Sequence, residues 1–236
     1  MTAFRPGFWP TVFTLLCLAV LLGLGAWQLQ RLEWKEALIA QTGERLAQPP
    51  GTLPESFPQP QDLAYLPIAV EGRYLHDREL YFASRVRDGQ VGLHVVTPFA
   101  LADGRQILID RGWVPPDRRD PASRAAGQIG GQVRIEGLLR SGGWSGFAAF
   151  APANDPQANL WLWPDLPAMA AAAGLENPVT EVYLDAAAGQ HVGDYPIGGQ
   201  TQVTFKNDHL QYALTWFGLA AVLAVIYLIY GLRRRS

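Results

Sequence analysis

Two apolar stretches without a single charge stand at opposite ends of this chain, and they decide what it can fold into. The first covers residues 8–29. The second lies within residues 207–232, after a short polar lead-in. A helix rises 1.5 Å per residue, so about 20 apolar residues cross a hydrocarbon core of about 30 Å. The pattern predicts two membrane-spanning helices in contact with a lipid bilayer, with everything else between them or in short tails. Residues 1–7 form one tail and residues 233–236 the other. Arg233, Arg234 and Arg235 directly follow the second span, and a cluster of arginines beside a span marks the cytoplasmic side. Two spans then return the N-terminus to the same side. Arg5 agrees, while Arg31 and Lys35 point the other way, but they sit among Glu33 and Glu36 and lead into a long segment, where flanking charge counts for less. The central region is expected outside the cytoplasm.

A cleaved signal peptide is the competing reading of the first stretch. Its apolar run is long, no clean A-x-A site follows, and Trp27 suits an interfacial belt better than a cleavage site. Retention is therefore expected. No Arg/Ser-rich amphipathic stretch precedes the span, which favours a bacterial protein, with the chain in the inner membrane and its central domain in the periplasm.

The net charge of -2 supplies no basic field for nucleic acid. The one cysteine, Cys17, lies inside the first apolar run, so neither an internal disulfide nor a C-x-x-C site is available. Residues 30–64 read as a juxtamembrane segment and an extended tether. Pro49, Pro50, Pro54, Pro58 and Pro60 remove backbone donors and forbid a regular helix there.

Residues 65–206 read as a β-rich domain. Strands are predicted over 68–74, 80–87, 92–99, 106–114, 133–137 and 181–185. Asp88-Gly89 and Asp103-Gly104 stand between apolar runs as hairpin turns, because both turn positions tolerate positive φ. One short helix is predicted over 165–173, rich in alanine and stopped by Gly174. The expected fold class is a membrane-anchored α+β protein: two transmembrane helices flanking an antiparallel β barrel or sandwich-like domain with one short helix. The loop 112–131 carries Arg118, Arg119, Asp120 and Arg124 among prolines. It reads either as a solvated charged loop or as a partner-binding loop.

No G-x-S-x-G, H-E-x-x-H or phosphate-binding loop is present. His76 in a predicted turn and His191 in a Gly-rich stretch read as solvent-exposed imidazoles. His94, within a strand, reads as a hydrogen-bonded structural histidine. His209 stands at the mouth of the second span, where ionisable groups are costly and tend to be functional. It is either an interfacial histidine at the helix entrance, with Asn207 or Asp208 as N-cap, or a ligand. Trp216 lies seven residues on, two turns, on the same helix face about 10 Å away along the axis. An imidazole with an indole below it suits a porphyrin, the imidazole ligating iron and the indole packing the ring edge.

Several blocks in order carry a family likeness. They are Gly25-x-Trp27-Gln28-x-x-Arg31, Gly72-x-Tyr74, Gly92-x-His94-Val-Val-Thr97-Pro98-Phe99, Asp110-Arg111-Gly112-Trp113-Val114-Pro115, and Asn207-x-His209-Leu-x-Tyr212-x-x-Thr215-Trp216-Phe217. On these the chain resembles the surfeit-locus-1 family of cytochrome oxidase assembly proteins over nearly its whole length. The resemblance implies a role in maturing haem-copper oxidase, haem a binding in bacterial members, and participation of the second span's histidine and tryptophan, positions matched by His209 and Trp216. It implies a carrier between haem a synthase and cytochrome c oxidase subunit I. On that reading Arg31 and Lys35 are placed to pair with propionates, although ordinary flanking charge is the other account, more so for Lys35. Three functions stay open: a haem a chaperone that is not an enzyme, a cofactor-free scaffold for an oxidase intermediate, and a membrane-anchored periplasmic enzyme.

Overall fold

A computed structural model describes residues 6–144, 146–147, 150–190, 192–201 and 207–233. Arg5, His191, Arg234 and Arg235 lie outside the described residues. The chain divides into two compact units, residues 1–43 with 203–236, and residues 44–202.

The first unit holds the two long helices, α1 (Phe8–Leu46) and α3 (His209–Arg233). Both are long and apolar enough to cross a membrane, and most of each is exposed to the surroundings rather than buried in protein. A core helix of a soluble protein would be covered; these present leucine, valine and phenylalanine outward, the pattern of helices solvated by lipid. At 39 residues α1 is about 58 Å long, so it continues well beyond the apolar run that ends at Leu29. Glutamate, lysine, leucine and alanine are strong helix formers, and nothing in 30–42 breaks the helix. Pro49 and Pro50 lie just beyond its end at Leu46.

The two helices pack antiparallel. The Thr11 and Tyr227 hydroxyls are 2.8 Å apart near one end, and Gln28 meets His209 near the other. Between them small residues, Gly25 on α1 and Ala213 and Ala220 on α3, form the buried stripe. Small side chains let backbones approach where lipid offers no hydrophobic drive to association. At Gly25 the Phe217 ring lies so close that a Cβ would sit 2.6 Å from it.

The second unit is one seven-stranded sheet with a short helix. Its strands are β1 (Gly51–Thr52), β2 (Pro67–Tyr74), β3 (Leu80–Arg87), β4 (Gln90–Leu101), β5 (Gln106–Val114), β6 (Val133–Ser141) and β7 (Val182–Ala186), and its helix is α2 (Leu166–Ala172). The strand order is β1-β2-β6-β7-β5-β4-β3. β2 also pairs with β4 where Gly72–Tyr74 run beside Phe99–Leu101, so the sheet folds back on itself into a sandwich-like domain and is not a closed barrel. The turn Asp88-Gly89 has φ of 49° and 78°, the left-handed geometry that a two-residue hairpin requires. Asp165 caps α2 by accepting from the Ala168 amide.

The two flanking helices, the sandwich-like domain and its one short helix are as expected, and two details differ. The sheet is mixed rather than antiparallel, because β1–β2 and β5–β7 are parallel pairs. β7 inserts between β6 and β5, and period-2 patterning in a strand says nothing of its direction relative to a neighbour. Residues 47–62 are not a free tether either. β1 pairs with β2, and Leu53, Phe57 and Leu63 pack on the core formed by Ile68, Val70, Phe99, Ile107, Ile109 and Leu184. A second core on the other face joins Phe82, Val96, Leu108, Trp161 and Tyr183 to Leu166 and Met169 of α2. β5 is buried on both faces, which explains its unbroken Ile107-Leu108-Ile109 run.

Gly72 sits where β2 and β4 approach. A Cβ there would strike the Ala100 carbonyl and stand 2.7 Å from the Phe99 ring. Gly72→Ala is expected to destabilise the domain by about 2–3 kcal/mol through overpacking that backbone cannot relieve. Thermal melting followed by near-ultraviolet circular dichroism checks it; an unchanged midpoint would contradict the close pairing of β2 with β4.

Candidate functional site

His209 opens α3, and its carbonyl-side neighbours begin the helix: the Tyr212 amide donates to the Asp208 carbonyl at 3.1 Å. Its Nδ1 lies 2.7 Å from Oε1 of Gln28. A carboxamide oxygen has no proton to give, so Nδ1–H is the donor. In a neutral imidazole the other nitrogen, Nε2, then carries the lone pair. Gln28 is 9% exposed, a buried polar group on the face of α1 that meets α3. His209 is the one imidazole of the helix pair in the sequence. In that form the donor set is a single ring nitrogen, Nε2, and one imidazole nitrogen is what a haem iron takes from histidine.

Trp216 lies two turns deeper on α3, half-buried, on the stripe that includes His209, Ala213 and Ala220. Deeper still, Leu16, Val20, Leu219, Val222, Leu223 and Ile226 line an apolar groove of about 550 Å³ between α1 and α3; Cys17 is also on its wall. Arg31 follows Gln28 by one turn. Its guanidinium lies 4.8 Å from the Trp34 ring centre and 6.0 Å from that of Trp27, so one face of α1 carries a cation bracketed by two indoles.

The domain holds two polar clusters that the sequence did not announce. The first surrounds Glu79, which is 8% exposed. Arg124 donates to both of its carboxylate oxygens, Arg111 Nη1 lies 3.3 Å from Oε1, and Gln128 Nε2 donates at 3.2 Å. Burial disfavours the Glu79 anion, but the neighbouring His76 ring, hydrogen bonds from Arg124 and Gln128 and the Arg124 charge outweigh it and hold the carboxyl down to about 2. The 112–131 loop is therefore neither merely solvated nor free for a partner along its whole length. Arg124 is its internal anchor, while Arg118 and Arg119 cap backbone carbonyls of Ser123 and Ala158. His76 is not a solvent imidazole: its Nε2 donates to the Ile129 carbonyl at 2.9 Å.

The second cluster follows from register. β5 and β7 run parallel with Asp110 beside Asp185. His94 Nδ1 on β4 is 2.8 Å from Asp110 Oδ2, the arrangement of a hydrogen-bonded structural histidine. Asp185 accepts from the Thr201 hydroxyl and lies 3.6 Å from Arg140 Nη1. Burial, then the Asp110 charge, push the Asp185 carboxyl above the ordinary carboxylate range. These residues line a polar cleft of about 410 Å³. Among the described residues no group of three His, Cys, Asp or Glu side chains is arranged to hold a metal ion.

Comparison with known proteins places the chain. Residues 15–221 match the family described as "SURF1 family". The chain belongs to the SURF1 family. Relatives include a "SURF1-like protein" of Monosiga brevicollis, 38% identical over 232 residues, covering 92% of this chain and 85% of the relative. "Surfeit locus protein 1" of Mus musculus is 37% identical over 237 residues, covering 94% and 76%. Its namesake in Homo sapiens is 39% identical over 221 residues, covering 87% and 72%. The SURF1 match covers most of α1, the first half of α3 and the whole β domain, so parts of both helices and the sheet belong to one family unit.

Sequence reasoning singled out His209, Trp216 and Arg31 but not Gln28. The available signal was an uncharged polar side chain near the end of an apolar run, which at membrane depth needs a partner.

Proposed function

We propose that this SURF1 protein is an assembly factor for haem-copper cytochrome c oxidase, that it binds haem a, and that it delivers it to subunit I of the oxidase. Haem a synthase is the proposed donor and the bilayer the medium of exchange. The observation that carries the reading is the His209 imidazole at the head of an apolar helix, with Nδ1 committed to Gln28 and Nε2 free to ligate. Haem supplies an iron that needs an axial nitrogen. His209 offers one, Trp216 offers an apolar face two turns deeper, and Arg31 offers a cation for propionates. A single neutral imidazole is an exchangeable ligand, which suits release to a partner's histidine. No covalent chemistry is assigned to the chain.

The test is complementation. Cells lacking the protein are expected to hold less haem a in oxidase subunit I; wild type restores it and His209→Ala does not. Full restoration by His209→Ala would favour the cofactor-free scaffold.

The proposed site of action is the bacterial inner membrane, both termini cytoplasmic and the β domain periplasmic. Alkaline phosphatase inserted at the exposed Asp103-Gly104 turn is expected to be active, and phosphatase fused after Arg235 inactive. The opposite pattern would reverse the orientation.

A further inference from the structure

An uncommitted imidazole would interconvert between its two neutral tautomers, and only one of them offers Nε2 as a ligand. The bond to Gln28 removes that freedom. Gln28 Oε1 accepts from His209 Nδ1 across the helix pair at 2.7 Å, and the carboxamide is withdrawn from the surroundings. A polar group buried between apolar helices is costly unless paired. The approach that makes this pairing possible is set one turn earlier on α1, where Gly25 admits the Phe217 ring against the backbone. A larger residue at Gly25 would push α3 away and stretch the bond. The same bond with the amide reversed, its NH₂ donating to Nδ1, would put the proton on Nε2 and abolish the ligand; the carboxamide oxygen faces Nδ1 instead.

We infer that Gln28 is a positioning residue for the haem ligand, holding His209 as the Nδ1–H tautomer with Nε2 left free. The inference rests on the haem-binding reading above. Outer partners of this kind orient a ligating histidine and raise its basicity, and their loss costs about 10–100-fold in affinity.

Two measurements test it on the full-length protein in detergent. The first needs no haem. In protein labelled with ¹⁵N at histidine, the His209 signals are those missing from His209→Ala. Wild type is expected to show a protonated Nδ1 and an unprotonated Nε2, and Gln28→Leu a mixture of tautomers. A wild-type His209 protonated at Nε2 would overturn the inference. The second uses haem a. Gln28→Leu is expected to weaken binding about 10–100-fold, with the domain melting unchanged. Gln28→Glu, which presents a stronger acceptor, is expected to keep haem and raise the ferrous iron–histidine stretching frequency above wild type. A residue that merely joins the helices would not move that frequency. Unchanged affinity in Gln28→Leu, or an unchanged frequency in Gln28→Glu, would overturn the positioning role. If wild type takes up no haem at all, the proposed function falls, while the nitrogen signals still decide whether Gln28 sets the tautomer.

Discussion

Glu79→Ala is expected to cost the β domain about 3–5 kcal/mol, the usual penalty for removing one partner of a buried ion pair. The variant would leave two guanidiniums, Arg111 at 3% exposure and Arg124 at 5%, without the carboxylate between them. It would also remove the carboxylate that Arg124 and Gln128 reach from the 112–131 loop, and with it part of the loop's hold on the domain. On a domain of this size the melting midpoint should fall on the order of 10 °C. The acid side carries a second signature. The Glu79 carboxyl titrates at about 2 in the folded protein against an ordinary 4.5. Its contribution to stability is therefore present above pH 4.5 and lost as pH falls from there through about 2. Glu79→Gln, which cannot ionise, should be less stable at neutral pH and should lack this part of the acid decline. Melting curves at pH 7, 4 and 3 measure both. Equal midpoints for wild type and Glu79→Ala at pH 7 would show that the cluster does not hold the loop.

His209→Ala is expected to remove nearly all bound haem a while the protein still inserts and accumulates. Loss of an outer partner alone costs about 10–100-fold, so loss of the ligand itself should exceed about 100-fold. The Thr11–Tyr227 bond, the Gly25–Phe217 contact and the alanine stripe remain to hold the helices together. Trp216→Leu should keep part of the haem and shift its absorption, since it removes packing and not the ligand. His94→Ala should lower the melting temperature and leave haem content alone, because His94 pairs with Asp110 inside the β domain. Haem per protein at equal expression separates the three.

Much of the architecture was written in local patterns. Both long helices, the hairpin turns at Asp88-Gly89 and Asp103-Gly104, and α2 with its Gly174 stop depend on neighbours in sequence, and a sequence reader has those in hand. Strand direction does not. β7 lies beside β5 only after the chain has passed through β6 and α2, so neither the parallel pairing nor the meeting of Asp110 with Asp185 could be read from alternation. Glu79 stands just before the strand 80–87 with nothing local to mark it, and its partners Arg111 and Arg124 lie 32 and 45 residues away. At the helix pair His209 and Trp216 were legible as candidates because they share one helix at a two-turn spacing. Gln28 was not, because its partner stands 181 residues further along the chain and only the antiparallel packing of α1 on α3 brings them together.

The most direct measurement is a reduced pyridine haemochrome spectrum of the detergent-purified wild-type protein, expressed together with haem a synthase. The haem-carrier account expects the haem a spectrum, close to one haem per chain, and its loss in His209→Ala. A colourless wild-type protein, or haem retained undiminished by His209→Ala, would contradict it.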